Sequence, residues 1–307
     1  MRVFLTGATG YVGSAILDAL LRGGHQVTAL IRDPEKAEAV AARGVQTVLG
    51  ELANPAGYRA HAETCDGIIH AAIESSRRAG EVDRLAIDAL PAAAQKRAAG
   101  VVERAPFFLY TSTSWVIGKA IRPATEKVVP KPTPLAAWRP SHEKLVLEAG
   151  ASGALRTAVV RPGMVYGRSR GPIAELVKEA KNGLIRVVGN GQQHWACVYD
   201  KDLADLYVRL AVSEASGIFH ANDEADEKLE DIVNAIAGHM PSRPDIRMVS
   251  LEEARTTMGL YADALALDQR VRSPRAKDLG WSPSLRSVAG SIARLFEEYR
   301  DFRTAAA

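Results

Sequence analysis

The amino-acid sequence predicts the α/β fold class: a doubly wound parallel sheet with a smaller, interleaved C-terminal lobe. Three observations predict it. Short runs rich in β-branched residues alternate with helical stretches over the first two-thirds of the chain, which is the pattern of βαβ units. These runs are apolar throughout, as expected for strands that helices cover on both faces. A glycine-rich turn follows the first strand directly and opens the first helix.

The predicted elements follow one another in a regular order. Six strands are predicted, at residues 2–6, 26–31, 45–49, 67–72, 107–112 and 156–162. Amphipathic or alanine-rich helices are predicted between them, at residues 11–22, 34–43, 55–63, 80–99 and 138–150. Beyond residue 166 the alternation loosens, and helices are predicted near 171–182, 200–212, 227–239, 274–279 and 286–299. A proline-rich stretch, residues 122–134, is predicted to be a loop.

Composition and charge argue against several classes of protein. The chain has 307 residues, 47% hydrophobic and 24% charged, so it can bury a core without disulfides or metal ions. A net charge of +3, with no concentrated stripe of Lys and Arg, argues against nucleic acid as a partner. The apolar run after Met1 reaches glycine at position 7, which is too short for a signal peptide or a membrane span. Cys65 and Cys197 form no metal-spacing motif, which predicts a reduced, cytoplasmic protein without a metal site.

The sequence VFLTGATGYVGSAI places Gly7, Gly10 and Gly13 between a strand and a helix. Glycines at these points permit a tight turn and let the backbone approach a pyrophosphate, which binds the free N–H groups at the helix N-terminus. The spacing is G-x-x-G-x-x-G rather than the generic G-x-G-x-x-G. The turn predicts a dinucleotide site of the Rossmann type in a domain of residues 1–165, to which segments near 190–220 return. Residues 166–307 are predicted to form the smaller substrate-binding lobe.

Seven motifs resemble those of the extended short-chain dehydrogenases/reductases, the NAD-dependent epimerase/dehydratase superfamily: TGATGYVG, GEL, DGIIHAAI, YTSTSWVIG, VVRPGMVYG, VYDKDLADLYVRL and LGWSP. The resemblance runs nearly from end to end and implies the fold of that family, but it does not fix a substrate. It also implies that the cofactor is held by Gly7, Thr9, Gly10, Tyr11, Val12, Gly13, Glu51, Leu52, Ala71, Ala72, Pro162 and Val165.

The end of the second strand bears on the choice between NAD and NADP. An NAD enzyme usually has a carboxylate there for the ribose 2′-hydroxyl, whereas an Arg accommodates a 2′-phosphate. By the family's spacing the carboxylate position falls on Ile31, which cannot accept a hydrogen bond, and Arg32 follows it. In the alternative interpretation Asp33 takes the ribose role and Arg32 is only solvated. We favour Arg32 as a cofactor-binding residue and NADP over NAD.

The resemblance further implies a Ser or Thr at the end of strand five and a Tyr-x-x-x-Lys on the following helix. In the family the Tyr is the acid/base and the Lys holds the nicotinamide ribose. The hydroxyl position falls on Thr113, with its neighbours Ser112 and Ser114 as alternatives if the register shifts by one. The Tyr and Lys positions fall on Trp138 and His142.

This substitution changes the chemistry available to the site. Trp138 has only an indole N–H donor and cannot be the base. His142 could hold the ribose or relay a proton, since imidazole exchanges protons near neutral pH. The alternative is a helix residue that merely faces the groove or solvent. Tyr166 is a further candidate acid/base. His194 and Trp195 lie where nucleotide-sugar enzymes often carry an Arg, and the loss of that cation argues against such a substrate.

We therefore predict an NADP(H)-preferring oxidoreductase or epimerase-like enzyme acting on a small-molecule carbonyl or alcohol, with Thr113 and His142 as catalytic residues. The alternative is a non-catalytic, dinucleotide-sensing regulator on the same fold, because the Tyr and Lys are missing. A homodimer through the helices near 85–99 and 138–150 is also expected, since equivalent helices pair in many relatives. Packing of these helices within one chain would give the same sequence pattern.

Overall fold

The computed structural model describes residues 1–98 and 104–305, and within these ranges strands and helices alternate along most of the chain. The strands are β1 (Arg2–Thr6), β2 (Gln26–Ile31), β3 (Gln46–Leu49), β4 (Gly67–His70), β5 (Phe107–Thr111), β6 (Ala120–Ala124), β7 (Arg156–Pro162), β8 (Met164–Tyr166), β9 (Leu184–Val188), β10 (Cys197–Tyr199), β11 (Gly217–Ala221), β12 (Asp245–Val249) and β13 (Gln269–Val271). The helices are α1 (Tyr11–Arg22), α2 (Pro34–Ala41), α3 (Arg59–Ala62), α4 (Ala79–Ala98), α5 (Arg139–Ala149), α6 (Gly171–Lys181), α7 (Asp200–Val212), α8 (Leu229–His239), α9 (Leu251–Met258), α10 (Tyr261–Leu265), α11 (Pro274–Asp278) and α12 (Ile292–Ala305).

Seven of the strands form one sheet in the order β11-β7-β5-β4-β1-β2-β3. The pairs β1·β2, β1·β4, β2·β3, β4·β5 and β5·β7 are parallel. The strand order reverses between β1 and β4, and in open parallel sheets ligands bind beyond the carboxyl ends of the strands at such a point. The predicted doubly wound parallel sheet is confirmed, and its switch point lies beside the glycine turn.

The chain divides into two compact units that alternate along the sequence. Unit 1 comprises Met1–Ser112, Trp138–Arg161 and Ala204–Phe219, and unit 2 comprises Thr113–Ala137, Pro162–Leu203 and His220–Ala307. Each has an apolar core of its own. The core of unit 1 includes Phe4, Tyr58, Ile68, Leu90, Phe108 and Val146. The core of unit 2 includes Ile173, Ile185, Trp195, Ile232, Val288 and Leu295.

The six strands predicted from sequence all form, and their ends agree with the prediction within two residues. The predicted helix at 55–63 is wrong in part: Pro55–Gly57 is a 3-10 turn, and Tyr58 separates it from α3. The predicted loop at 122–134 is wrong at its start, where β6 pairs with β13. Pro123 is tolerated in β6 because each strand of a two-stranded sheet is an edge strand. Short strands beyond residue 163 escaped prediction because three to five residues carry little periodicity.

The two helices expected to form a dimer interface pack against each other within unit 1. The Gln95 side chain on α4 donates to the carbonyl oxygen of Ala149 at the end of α5, at 3.0 Å. Position 99, the last of the predicted interface range 85–99, lies outside the described residues. Among the described residues, no helix is long and apolar enough to cross a bilayer.

Candidate functional site

The turn between β1 and α1 has no room for side chains at two of its glycines. Gly7 has φ +81°, and a Cβ there would lie 2.7 Å from the backbone of Ala71 and Ala72. A Cβ on Gly13 would lie 2.0 Å from the carbonyl oxygen of Gly7. The N–H of Gly10 donates to the same carbonyl oxygen at 2.8 Å. These residues pack backbone against backbone, which is the arrangement that brings main-chain N–H groups close to a pyrophosphate.

The N-terminus of α1 is open to an anion. Its N-cap, Gly10, provides no side-chain hydrogen bond, and the first turn contains no acidic residue. Tyr11 and Val12 are the first two helical residues, and Thr9 lies in the turn before them. An uncapped twelve-residue helix presents partial positive charge at this end. The cradle and the helix end therefore fit the pyrophosphate of a dinucleotide cofactor.

At the end of β2 the two candidate ribose residues have different roles. Asp33 is the N-cap of α2, and its Oδ1 accepts from the backbone N–H groups of Glu35 and Lys36 at 3.0 and 3.4 Å. The Lys36 N–H contributes most to lowering the pKa of Asp33. The side chain of Arg32 is 73% exposed, and its Nη1 lies 3.8 Å from Glu74 Oε2. Because Asp33 is engaged by its own helix, Arg32 is the more accessible of the two.

The remaining predicted cofactor residues of unit 1 border the same sheet edge. Glu51 is exposed, and Leu52 is half-buried against the core, with its carbonyl accepting from Tyr58 at 3.1 Å. The N–H of Ala71 donates to the backbone oxygen of Thr6 at 3.3 Å. The N–H of Ala72 donates to Thr6 Oγ1, also at 3.3 Å. The chain after β4 is thus fixed to the end of β1 beside the glycine turn.

A buried polar chain continues from Thr6 toward α5. Thr6 Oγ1 lies 2.6 Å from His70 Nδ1, and His70 Nε2 lies 3.2 Å from Asp83 Oδ1. The other carboxylate oxygen, Asp83 Oδ2, lies 2.7 Å from His142 Nδ1 and accepts from Tyr110 at 2.8 Å. The predicted catalytic residue His142 is therefore neither a solvated helix residue nor a ribose ligand with both ring nitrogens available. It is bound through one nitrogen to a buried carboxylate.

Asp83 is held in its ionised form. Burial alone would raise its pKa, but hydrogen bonds from His142 and His70 outweigh burial and hold the pKa well below its ordinary value. Arg139 adds positive charge: its Nη1 lies 3.3 Å from the Tyr110 hydroxyl and 3.0 Å from the Thr111 carbonyl oxygen. The guanidinium of Arg139 also lies 4.4 Å from the centre of the Trp138 ring. Burial raises the pKa of Tyr110 well above its ordinary value, so its hydroxyl stays protonated.

A second buried carboxylate, that of Glu143, follows His142 on α5. Glu143 accepts from Arg161 in a two-pronged pair, with Arg161 Nε at 3.0 Å, and both side chains are at least 97% buried. The Ser112 hydroxyl donates to the same carboxylate. Ser112, an alternative for the catalytic hydroxyl, is thus bound to a structural ion pair.

Thr113, Pro162 and Val165 belong to unit 2. Thr113 is half-buried, and its Oγ1 accepts from the N–H of Trp115 at 3.3 Å, so it caps the short 3-10 turn Ser114–Val116. Its hydroxyl proton is not used in that bond. Pro162 ends β7 and is buried, and Val165 lies in β8 opposite Val198 of β10. These placements leave the predicted catalytic and cofactor roles as predictions.

Tyr166, the further candidate acid/base, is built into the core of unit 2, as is Trp195. Tyr166 is fully buried, its hydroxyl lies 3.4 Å from the carbonyl oxygen of Leu285, and burial raises its pKa far above the ordinary value. This placement argues against Tyr166 as an acid/base near neutral pH. Trp195 is 3% exposed and donates to the carbonyl oxygen of Leu265 at 3.0 Å. The Ser114 hydroxyl donates to Gln269 at 3.1 Å.

His194 stands where nucleotide-sugar enzymes often carry an Arg, and the structure shows that another segment brings an Arg to it. His194 Nδ1 lies 2.8 Å from Asp268 Oδ1, and Arg270 Nη2 lies 2.9 Å from His194 Nε2. An Arg is therefore present beside His194, supplied by a strand 76 residues further along the chain. Sequence spacing could not reveal it, because the contact depends on how β13 packs within unit 2.

Sequence reasoning also missed Asp83 and Arg139. Asp83 lies on a helix read only as alanine-rich, 59 residues before the histidine it binds. Arg139 is adjacent to Trp138 in the sequence, so its charge is a local signal that predicts a polar contact at this position. No cluster of three or more metal-binding side chains occurs among the residues the structure describes.

The sheet order and the glycine turn define an oxidoreductase-like α/β fold of the Rossmann type. Residues 3–220, more than half of the chain, match the NAD-dependent epimerase/dehydratase family, and the chain belongs to that family. The resemblance inferred from the motifs is confirmed.

Individual relatives extend the comparison. An uncharacterized protein of Schizosaccharomyces pombe is 30% identical in an alignment that covers 95% of this chain and 98% of that protein. The 4-hydroxy-2-methyl-3-oxo-4-farnesyl-3,4-dihydroquinoline-1-oxide ketoreductase of Stigmatella aurantiaca is 26% identical over 268 residues, covering 85% and 79%. The UDP-glucose 4-epimerase of Thermus thermophilus, solved with NAD, is 21% identical with a TM-score of 0.80, covering 99% of each chain. The last of these shows the fold alone.

Proposed function

We propose that this protein is an NADP(H)-preferring oxidoreductase that interconverts a small carbonyl compound and the corresponding alcohol. One observation carries the cofactor preference: Asp33 caps α2, while the neighbouring Arg32 is largely exposed. A guanidinium suits the 2′-phosphate that distinguishes NADP from NAD.

The residues of unit 1 bind the cofactor and transfer the proton. Gly7, Gly10 and Gly13 form the pyrophosphate cradle, and Arg32 holds the 2′-phosphate. When bound, the nicotinamide supplies or accepts the hydride. His142 moves the proton of the substrate oxygen. Thr113 of unit 2 keeps its predicted catalytic role, and its hydroxyl proton is not used in the cap of the 3-10 turn. Arg139, a buried cation at the end of β5, supplies positive charge beside Tyr110 and Asp83.

A substrate that is not a nucleotide sugar is supported by the ketoreductase relative, which covers most of both chains. The name of that relative specifies a ketone with a farnesyl group, hence a substrate without a nucleotide. Arg270 weakens the further argument against a nucleotide sugar, the one from the missing charge, since a cation does lie at His194. The side chain of Arg270 is already hydrogen-bonded to that imidazole, which in turn is bound to Asp268.

The second candidate function is a dinucleotide-sensing regulator. It is favoured by Trp138, which stands at the predicted Tyr position and has no proton to exchange. The two candidates agree on cofactor binding and differ on turnover. A homodimer also stays a prediction, which light scattering on the purified chain tests directly.

Two measurements on the purified protein decide between them. Fluorescence titration with NADPH and NADH should show tighter binding of NADPH. Absorbance of NADPH is then followed against a panel of ketones, aldehydes and quinones, with UDP-sugars as a separate arm. Consumption with a carbonyl substrate supports the oxidoreductase. Tight NADPH binding with no turnover across the panel supports the regulator, and preference for NADH contradicts the role given to Arg32.

A further inference from the structure

We propose that Asp83 is a positioning residue that fixes the proton of His142 on Nδ1. The other ring nitrogen, Nε2, then presents a lone pair and serves as the proton acceptor in place of the missing Tyr. This inference rests on the proposed oxidoreductase function for its reaction, but its structural content is independent of any substrate.

The hydrogen-bond partners determine where the protons lie. The N–H of Ala72 donates to Thr6 Oγ1, and the Thr6 hydroxyl can then donate to His70 Nδ1. His70 Nε2 consequently carries a proton and donates to Asp83 Oδ1. An ionised carboxylate can only accept, so the remaining neighbour, His142 Nδ1, must also donate. With both imidazoles neutral, this arrangement satisfies every partner in the chain from Thr6 to His142.

The other ring nitrogen of His142 has no bonded partner among the described residues, and 9% of the side chain is exposed. The Trp138 ring packs edge-on against the imidazole at 4.9 Å between centres. A histidine held by a buried carboxylate through Nδ1, with Nε2 left over, is the arrangement that orients an imidazole for acid/base work. A packing histidine would instead have both nitrogens satisfied, as His70 does.

Charged groups from each neighbouring element affect the proton on His142. Asp83 from α4 lies against Nδ1, with His70 of β4 and Tyr110 of β5 bound to the same carboxylate. Arg139, three residues before His142 on α5, contributes positive charge. The next carboxylate along α5 is Glu143, but Arg161 of β7 neutralises it. Asp83 is thus the negative charge in direct contact with the imidazole.

In the oxidation direction the O–H bond of the bound alcohol breaks and its proton passes to His142 Nε2. The electron pair stays on the substrate oxygen, and the ring becomes an imidazolium whose positive charge faces Asp83. In the reduction direction the imidazolium returns the proton to the oxygen. Asp83 keeps its charge throughout, since the partners that ionise it remain bound.

The tautomer of His142 can be read without a substrate. Two-bond ¹H–¹⁵N NMR spectra of the ¹⁵N-labelled full chain distinguish a protonated Nδ1 from a protonated Nε2. We expect the wild-type protein at pH 8 to show His142 protonated on Nδ1 and His70 on Nε2. A wild-type spectrum with His142 protonated on Nε2 overturns the proposal, and this result does not depend on the folding of any variant.

The variant Asp83→Leu replaces the carboxylate with an apolar side chain of the same branched shape, and we expect averaged His142 shifts from two exchanging tautomers. Glu143→Gln is the matched control. It changes a buried carboxylate on α5, the helix of His142, that does not contact the imidazole, so the His142 spectrum should not change. Persistence of the Nδ1–H form in Asp83→Leu contradicts a positioning role.

Kinetics add a second readout if a substrate is found. Asp83→Leu should slow alcohol oxidation on the order of 10²-fold at neutral pH and move the low-pH limb of the rate to lower pH, because the imidazolium loses its counter-ion. An unchanged limb contradicts the proposal. If His142 shows the expected tautomer but no substrate is turned over, the proposed oxidoreductase function is wrong while the positioning of His142 by Asp83 still holds.

Discussion

The carbonyl oxygen of Gly7 lies where a side chain on Gly13 would begin, with only 2.0 Å between that oxygen and a Cβ at Gly13. The two glycines face each other across the turn that precedes α1. A larger residue at either position would have to move the backbone of the turn. The shape of the cradle therefore depends on glycine at both positions.

Gly13→Ala should disrupt cofactor binding. The added methyl must push the Gly7 carbonyl away, and overpacking of this kind costs about 1–3 kcal/mol. We expect NADPH affinity to fall about tenfold, the effect of a step of about 1.4 kcal/mol, together with a lower Tm. Gly238→Ala is the control: nothing lies within 4 Å of a Cβ there, and Ala favours the helix by about 0.5–1 kcal/mol. Unchanged NADPH binding in Gly13→Ala would show that the turn is not the cradle.

Arg32→Ala should change the cofactor preference rather than cofactor binding in general. A hydrogen bond to a charged group contributes about 1.5–3 kcal/mol, so NADPH affinity should fall about 10- to 100-fold. NADH affinity should stay near the wild-type value, and fluorescence titration measures both. Asp33→Ala removes the cap of α2 and should cost about 0.5–2 kcal/mol of stability without changing the NADPH to NADH ratio. A changed ratio in Asp33→Ala would return the ribose role to the carboxylate.

Substitution of Thr113 is expected to lower turnover, whereas substitution of Ser112 is expected to lower stability. Thr113→Val keeps the shape but removes the hydroxyl, and turnover should fall while the Tm drops little, because the 3-10 cap is a single bond. Thr113→Ser should restore turnover. Ser112→Ala removes a donor to the buried Glu143 carboxylate and should cost about 1.5–3 kcal/mol in urea unfolding. Loss of turnover in Ser112→Ala at constant stability would exchange the two roles.

Asp223 should make stability fall as pH rises. Burial, reinforced by the charge of Glu227, raises the pKa of Asp223 from 3.8 to about 8. Between these values the unfolded chain releases the proton while the folded chain keeps it, so this group lowers stability by at most about 1.4 kcal/mol per pH unit. Asp223→Asn cannot titrate. The difference in Tm between Asp223→Asn and wild type should therefore increase from pH 5 to pH 8.

The control for that experiment is Asp231→Asn, which replaces an exposed carboxylate on α8. Its Tm should follow the wild-type pH dependence. A constant difference between Asp223→Asn and wild type across the same range would show that Asp223 ionises normally in the folded protein.

Elements with local signals were predictable, and contacts between distant segments were not. The turn from Thr6 to Gly13 combines a strand end, glycines and a helix start in one short stretch, and its role followed from chain order alone. The N-cap role of Asp33 was also predictable from the sequence, because Asp followed by Pro is a helix-start pattern. By contrast, the pairing of Asp83 with His142 and of Arg270 with His194 depends on tertiary packing over 59 and 76 residues.

The alternation of the two units along the chain constrains how the protein is made. The outermost strand β11, beside β7, is among the last parts of the large sheet to leave the ribosome. Until residues 217–221 are synthesised, the edge of β7 that faces away from β5 has no strand partner. All seven residues of β7 are buried in the folded protein. While the chain between β7 and β11 is synthesised, the nascent protein therefore exposes a free backbone edge of β7, which can pair with a strand of another chain.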